Sequence, residues 1–431
     1  MLTSRAASGA PAGQALRGTN LAAFLCTMQK TVALAFSGGL DTSYCVPRLV
    51  ERGYAVQTVF VNTGGTSPED RALILNQAMA VGAAAHHEID ARAAVFDRFV
   101  RVLIQANVLR GEVYPLSVAA ERTQQAISVI EVARKIGAEA IAHGSTGAGN
   151  DQVRFDIALR VLAPELEVIT PIREESLSRD KAIAYLEARD LPVPPKSGAY
   201  SINRGLWGTT WGGGWTHDTW AQPPAELRDP PADAPPPVDV IVHWERGVPV
   251  ALDGAPLEGH DLVDALSALA ARYGIGHGIH VGETALGIKG RIGFEAGSAL
   301  MLITAHRELE KLVLTKWQSF WKDQLGRFYG DRLHEGHYFD PTLRDIEAMV
   351  TSSQRRVTGE TRLHLTPGRF LVTGATSPYS MMDRAVATYG EENVLWTGDE
   401  AKAFARVGAI PELLAMRAEQ RAEELREKDG D

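Results

Sequence analysis

The sequence predicts an α/β protein: a doubly wound domain on a mostly parallel sheet, then an α+β domain and a C-terminal helical arm. Three observations carry this. From Thr31 to Pro171, short unbroken apolar runs of strand length alternate with amphipathic stretches, the pattern of strands buried on both faces. After Pro192–Pro195 the texture changes to crowded tryptophan, glycine and proline, followed by alternating strands and long helical periods. The stretch Pro411–Lys428 is helical in pattern and dense in Glu and Arg. The expected divisions are 1–28, 29–198, 199–400 and 401–431.

The chain has 431 residues, 45% hydrophobic and 23% charged, which excludes an intrinsically disordered chain. At about 100–200 residues per domain this length corresponds to about two or three domains. Lys and Arg number 44 against 53 Asp and Glu, a net charge of −9. Nucleic-acid binding runs on an excess of cations, so no nucleic-acid partner is expected. No apolar run reaches the roughly 18 residues of a membrane span, so no membrane partner is expected either. Cys26 and Cys45 can build neither a disulfide framework nor a four-ligand zinc site, which points to the cytoplasm.

Taken in order, residues 1–28 are rich in Ala, Gly, Ser and Thr without the layout of a secretory signal. They read as a flexible extension, or as a start placed too early, with Met28 just before the first strand. Thr31–Phe36 is a strand, followed by Gly-Gly and a helix over Thr42–Arg52. Tyr54–Val61 repeats the strand, Pro68–Val81 the helix, and Ala85–Ile89 is a weaker strand. After two helical stretches come the strands Ala138–Ala142 and Val168–Pro171. In the second half, Trp207, Trp211, Trp215 and Trp220 sit among glycines and are expected to pack between the domains. Gln222–Pro237 holds seven prolines and reads as an extended loop. Val238–Trp244 and Val248–Leu252 make a hairpin turning at Arg246-Gly247. Helical patterns follow at Asp261–Tyr273 and Ala299–Gln324, then strands near Val357–Leu365 and Phe370–Thr373. The arm has Leu413, Leu414, Met416 and Leu425 as its large apolar residues; it cannot fold alone and is expected to lie on another subunit.

The strongest motif is Ser37-Gly38-Gly39-Leu40-Asp41-Thr42-Ser43, where a buried strand gives way to a helix. At such a junction backbone N–H groups and the helix dipole favour an anion, two glycines let the backbone close around it, and three hydroxyls add donors. A lone Gly-Gly would equally suit a tight turn with an Asp or Thr cap; the full string points to phosphate. No Gly-x-x-x-x-Gly-Lys-Ser/Thr string is present, and no Gly-x-Gly-x-x-Gly follows the strand, so kinase and dehydrogenase chemistry recede together. A second motif runs from Ala142 to Phe155 and again joins a buried strand to a helix. Both loops then lie at the carboxyl edge of one sheet, where open α/β folds bind ligands. Asn150, Asp151 and Arg154 fall within one helical turn; the bland alternative makes the first two caps and Arg154 a surface residue.

The serine-glycine-glycine form resembles the PP-loop of ATP pyrophosphatases. With Tyr200-Ser201-Ile202-Asn203 and the hairpin, the two loops make the chain resemble the argininosuccinate synthase family over residues 29 to about 400. That resemblance implies a nucleotide-binding domain, a synthetase and oligomerisation domain, and a homotetramer. It implies an AMP-forming ligase of arginine biosynthesis that adenylates the ureido oxygen of L-citrulline with ATP and lets the amine of L-aspartate displace AMP. By position it assigns Ala35, Phe36, Ser37, Gly38, Gly39, Leu40, Asp41, Thr42, Ser43, Val61 and Gly144 to ATP, with Mg2+ reached by Asp41. Thr146, Asn150 and Asp151 are assigned to aspartate. Tyr114, Asn150, Arg154, Ser201 and Thr210 are assigned to citrulline, with Arg154 on a carboxylate.

The departures lie on the citrulline side. Ala119 stands where the family has serine, Gly282 where it has glutamate and Phe294 where it has tyrosine; a lysine common in the second loop is Ala148 here. Glu283 would replace the glutamate only by a register slip, which on a strand turns a side chain to the other face. Three further readings therefore stand beside the first: the same chemistry on another ureido or amide acceptor, a catalytically inactive nucleotide-binding regulator, and transfer-RNA modification, for which Cys45 is the only nearby thiol. Tyr114 as plain core is the alternative to its acceptor role. His86-His87 is expected at a strand end or the surface, and His277 and His280 lie among glycines without metal-binding partners in sequence.

Overall fold

The computed structural model describes residues 29–147, 149–195, 200–227, 229–388 and 393–429. The extension expected at 1–28, the Ala148 position and the division expected at 198–199 lie outside the described residues. The described chain forms two compact units, one of residues 29–62, 66–91 and 123–195, the other of residues 63–65, 92–122 and 200–429.

In the first unit the alternation of apolar runs and amphipathic stretches becomes β1 (Lys30–Ala35), α1 (Leu40–Glu51), β2 (Tyr54–Asn62), α2 (Pro68–Ala80), β3 (Ala85–Asp90), α3 (Ala119–Lys135, whose first four residues belong to the second unit), β4 (Ala140–His143), α4 (Asn150–Leu162), β5 (Glu167–Ile169), α5 (Pro171–Glu174) and α6 (Arg179–Glu187). The strands pair in parallel in the order β3-β2-β1-β4-β5. Successive residues of a strand face opposite ways, so Val32 and Leu34 of β1 enter one core with Leu49 and Leu186, while Ala33 enters another with Val59, Ile130 and Leu159. The sheet is thus covered on both faces, as a doubly wound fold requires. The last strand is shorter than expected: Pro171, which has no N–H for a ladder, opens α5 instead. His86 and His87 are not at a strand end but inside β3, bonded to β2 through Thr58 Oγ1 and Gln57 Oε1, each at 2.8 Å.

In the second unit, residues 92–105 are helical with a π turn at Phe96–Val100. There follow β6 (Ser201–Gly205), β7 (Gly208–Gly212), β8 (Val238–Glu245), β9 (Val248–Leu252), β10 (Ala255–Pro256), α7 (Gly259–Tyr273), β11 (His277–Glu283), β12 (Lys289–Glu295), α8 (Gly297–Val313), α9 (Lys316–His334), α10 (Pro341–Ser353), β13 (Gly359–Thr366), β14 (Arg369–Thr376), α11 (Gly398–Gly408) and α12 (Ile410–Asp429). Two antiparallel sheets form, β10-β9-β8-β13-β14 and β11-β12-β7-β6. The β8–β9 hairpin turns where expected, on Arg246 and Gly247 with φ of 50° and 73°, the left-handed pair that suits the twist of a tight hairpin. The helical pattern over Ala299–Gln324 is not one helix. Thr315 and Gln318 form a reciprocal capping box that ends the run and starts α9. The tryptophans are not a single cluster between domains: Trp207 is 1% exposed in the core of the second unit, whereas Trp220 is 92% exposed.

A buried polar network crosses this core. Lys322 Nζ lies 3.0 Å from Glu310 Oε2 and donates to the Gln105 carbonyl at 3.1 Å. The Glu310 carboxylate also accepts from the amides of Asn107 and Gln354, both at 2.7 Å, and the ring of His306 bridges the amide oxygens of the same two residues. Burial alone would raise the Glu310 pKa, but its charged and amide neighbours outweigh that and hold it low. At the other end of the chain, α11 and α12 bury none of their described side chains; Phe404, Ile410, Leu413 and Leu414 stand in the open. No helix among the described residues is long and apolar enough to cross a membrane.

Candidate active site

Two loops of the first unit meet at the carboxyl edge of its sheet. β1 and β4 are neighbours with Ala35 opposite His143, so the segments that leave them start level, at the point where strand order reverses. Each runs into a helix whose N-cap is a glycine with no side-chain cap, Gly39 for α1 and Gly149 for α4. The first-turn N–H groups are therefore not occupied by a capping side chain, and two helix dipoles point their positive ends at one edge. Neither bland reading describes these loops: no Asp or Thr caps α1, and Asn150 and Asp151 lie in the first turn of α4 rather than at its cap.

Gly38 has φ of +75°, and a Cβ on it would lie 3.0 Å from Ile74, so only glycine turns the chain here without strain. A Cβ on Gly144 would sit 3.1 Å from the Thr42 side chain, so the second loop approaches α1 closely because it lacks one. Ser37 is exposed and accepts from Gly39 N–H at 3.4 Å. Thr42 donates back to the Gly39 carbonyl at 3.1 Å. The third hydroxyl does not join them: Ser43 is fully buried and accepts from Gln77 at 3.1 Å. Phe36 and Leu40 are core residues, Ala35 is half-buried, and Val61 is 5% exposed in the core, which leaves mainly its backbone for a ligand. Burial raises the Asp41 pKa, opposed by the nearby charge of Arg179, a residue the motif does not flag.

On the second loop Thr146 is exposed and Asn150 half-buried. Arg154 is no surface residue: it is 4% exposed and donates to Asp151 Oδ1 at 3.1 Å. Behind it, Asp156 links His143 Nε2 at 3.0 Å and Arg173 at 2.7 Å. Burial pushes the Asp156 pKa up, yet those two partners outweigh it and hold the carboxyl at about 2. Gln152 donates to the Gly147 carbonyl at 2.6 Å and pins the loop tip. Sequence reading missed Asp156, Gln152 and Arg173, because nothing in their spacing marks them as supports. Cys45 is fully buried and burial pushes its thiol far up, which removes the nucleophile that sulfur-transfer chemistry would need.

The remaining candidates belong to the second unit. Tyr114 is 3% exposed, donates to the Ser117 carbonyl at 2.5 Å, and lies between the rings of His280 and Phe294, each 5.3 Å away. Ser201 is exposed on β6, and Thr210 is 6% exposed on β7 opposite Phe294. No register slip rescues the missing acid: Glu283 pairs with Lys289 at 2.7 Å at the exposed end of the β11–β12 ladder. At Gly282 a Cβ would run into the His280 ring, with the Arg110 guanidinium 3.2 Å away. Glu121 is a further buried acid, 1% exposed, whose Oε1 accepts from Trp207 N–H at 3.1 Å and whose Oε2 has no hydrogen-bond partner among the described residues. Burial raises its pKa to about 7, against the smaller pull of that N–H and of Arg122.

A pH dependence follows for Glu121. The folded chain keeps this proton up to about pH 7, whereas the unfolded chain loses it near 4.5, so stability falls as pH rises through that window. The loss is about 3 kcal/mol at pH 8. Glu121→Gln, which still accepts from Trp207, is expected to flatten the dependence and to exceed the unsubstituted protein in stability at pH 8. Urea unfolding at pH 5 and pH 8 measures this, and equal slopes with pH would refute it.

Comparison with known proteins gives the family. The N-terminal HUP-domain model of argininosuccinate synthase matches residues 31–192, and the C-terminal domain model of the same family matches residues 200–414. An argininosuccinate synthase of Xanthomonas axonopodis pv. citri is 41% identical over 386 residues, 88% of this chain and 92% of the relative. One from Methanocaldococcus jannaschii is 35% identical over 372 residues, 85% of this chain and 93% of the relative. With both of its described units falling under those family models, the chain belongs to the argininosuccinate synthase family.

Proposed function

We propose that the protein is the AMP-forming ligase of arginine biosynthesis that joins L-citrulline to L-aspartate with ATP, releasing AMP and pyrophosphate. The observation that carries this is the pair of glycine-capped helix starts side by side at the β1 and β4 edge. In this reading Ala35–Ser43, Val61 and Gly144 hold ATP. Their N–H groups bind the outer two phosphates as a leaving group, so the ureido oxygen attacks the α phosphorus and pyrophosphate departs. Thr146, Asn150 and Asp151 hold aspartate, whose amine then attacks the ureido carbon and expels AMP. Tyr114, Asn150, Arg154, Ser201 and Thr210 serve citrulline. Mg2+ would come with the nucleotide. Asp41, in the first turn of α1, is the carboxylate of the motif available to it. The charge of the ion would neutralise the leaving pyrophosphate. The exposed arm supports a homotetramer in which it lies on a neighbour, and the protein would work in the cytoplasm.

The test is to supply ATP, aspartate and citrulline and to follow pyrophosphate and the adenine nucleotide. Equal amounts of AMP and pyrophosphate are expected; ADP would overturn the reading. A second reading, the same chemistry on another ureido or amide acceptor, is favoured by Gly282 and Phe294, where the family's acid and phenol are missing. It predicts pyrophosphate with that acceptor and none with citrulline. Binding of ATP without turnover on any acceptor would mark an inactive regulator.

A further inference from the structure

The β6–β7 hairpin carries Ser201 and Thr210, and its two-residue tip, Leu206-Trp207, is buried instead of solvated, each residue 1% exposed. Among the described residues Trp207 makes three hydrogen bonds to one other segment. Its indole N–H donates to the Pro115 carbonyl at 2.8 Å, its backbone N–H to Glu121 Oε1 at 3.1 Å, and its carbonyl accepts from Ser117 Oγ at 2.9 Å. That segment is a strained turn. Leu116 and Val118 adopt φ of 63° and 64°, a region branched side chains avoid, and such strain persists only where surroundings over-determine it. The turn begins at Tyr114. A Cβ on Gly205 would collide with the Glu121 carboxyl, so the hairpin is shaped for this contact.

We propose that Trp207 is a positioning residue for the acceptor, fastening the hairpin that carries Ser201 and Thr210 to the strained turn that carries Tyr114. This rests on the reading that those three residues bind the acceptor. Trp207, 1% exposed, acts through other residues: it fixes the turn and hairpin against each other, so its loss weakens acceptor binding and leaves ATP and aspartate alone.

Trp207→Phe keeps most of the buried ring and removes the indole donor. Its KM for citrulline is expected to rise about tenfold, the equivalent of one buried hydrogen bond, with KM for ATP and aspartate changed less than about twofold. Amide hydrogen exchange at Ala119 and Arg122, which bond back to Leu116 and Val118, should quicken about tenfold. Ser117→Ala removes only the donor to the Trp207 carbonyl and serves if the first variant does not fold; a rise of about threefold in citrulline KM is expected. An unchanged citrulline KM in folded variants, or an equal fall in kcat/KM for all three substrates, overturns the proposal. Failure of the ligase reading is separate: it shows as no pyrophosphate from the unsubstituted protein with citrulline, and exchange in the variants still decides whether Trp207 holds the turn.

Discussion

Glu310→Ala is expected to destabilise the second unit by about 3–5 kcal/mol, the largest effect of any single substitution considered for stability. Three buried partners converge on this carboxylate: the Lys322 ammonium, which is 0% exposed, and the amides of Asn107 and Gln354. Removing the carboxylate leaves the buried cation with the Gln105 carbonyl at 3.1 Å and the exposed Asp323 carboxylate at 3.7 Å, strips the Asn107 amide of its Glu310 acceptor and leaves the Gln354 amide to Ser353 Oγ at 3.0 Å. Lys322→Met should be milder, since the carboxylate keeps two amide donors and the apolar chain still fills the space. Urea unfolding followed by tryptophan fluorescence measures both. The order would be refuted if Lys322→Met proved the more damaging, and the account of the network if neither variant lost more than about 1 kcal/mol.

Gly38→Val is expected to reduce pyrophosphate formation by about 100-fold or more, the scale seen when an anion-stabilising backbone donor is displaced. A branched residue at φ of +75° is strained by about 1–2 kcal/mol, and its Cβ would press on Ile74 of α2. The chain relieves both by moving the loop, which turns its N–H groups away from the phosphates. The core beneath is made by Val32, Leu34 and Leu49, so the first unit should stay folded. Steady-state pyrophosphate release with a thermal melt separates the two effects. Activity within about tenfold of the unsubstituted protein would remove the loop from the phosphate site.

Much of the first unit was legible because its signal is local. A strand buried on both faces must be apolar throughout, and a loop that wraps an anion must give up side chains, so β1, the Gly38-Gly39 turn and α1 follow from adjacent residues. The edge shared with the second loop is equally readable, since parallel order forces both strand ends to one side. The failures are long-range. Ser43 looks like a hydroxyl donor to phosphate in sequence, but the helix that starts at Leu40 turns its side chain into the core, where the hydroxyl accepts from Gln77, so in the proposed site its backbone alone serves. Ala299–Gln324 keeps one hydrophobic period across two helices, and only the reciprocal bonds of Thr315 and Gln318 show the break. Glu121, Trp207 and the left-handed Leu116 and Val118 carry no spacing signal at all. Their partners are distant in sequence, 90 residues apart for Ser117 and Trp207.

That separation also governs how the turn comes into being. Around the left-handed Leu116 and Val118 the local bonds come from Tyr114, Ala119 and Arg122, whereas Trp207, which adds three more, arrives only after a long loop has closed, at an entropic cost that grows with length. During synthesis the turn leaves the ribosome well before Trp207, so the bonds between the two form only with the closing of the hairpin.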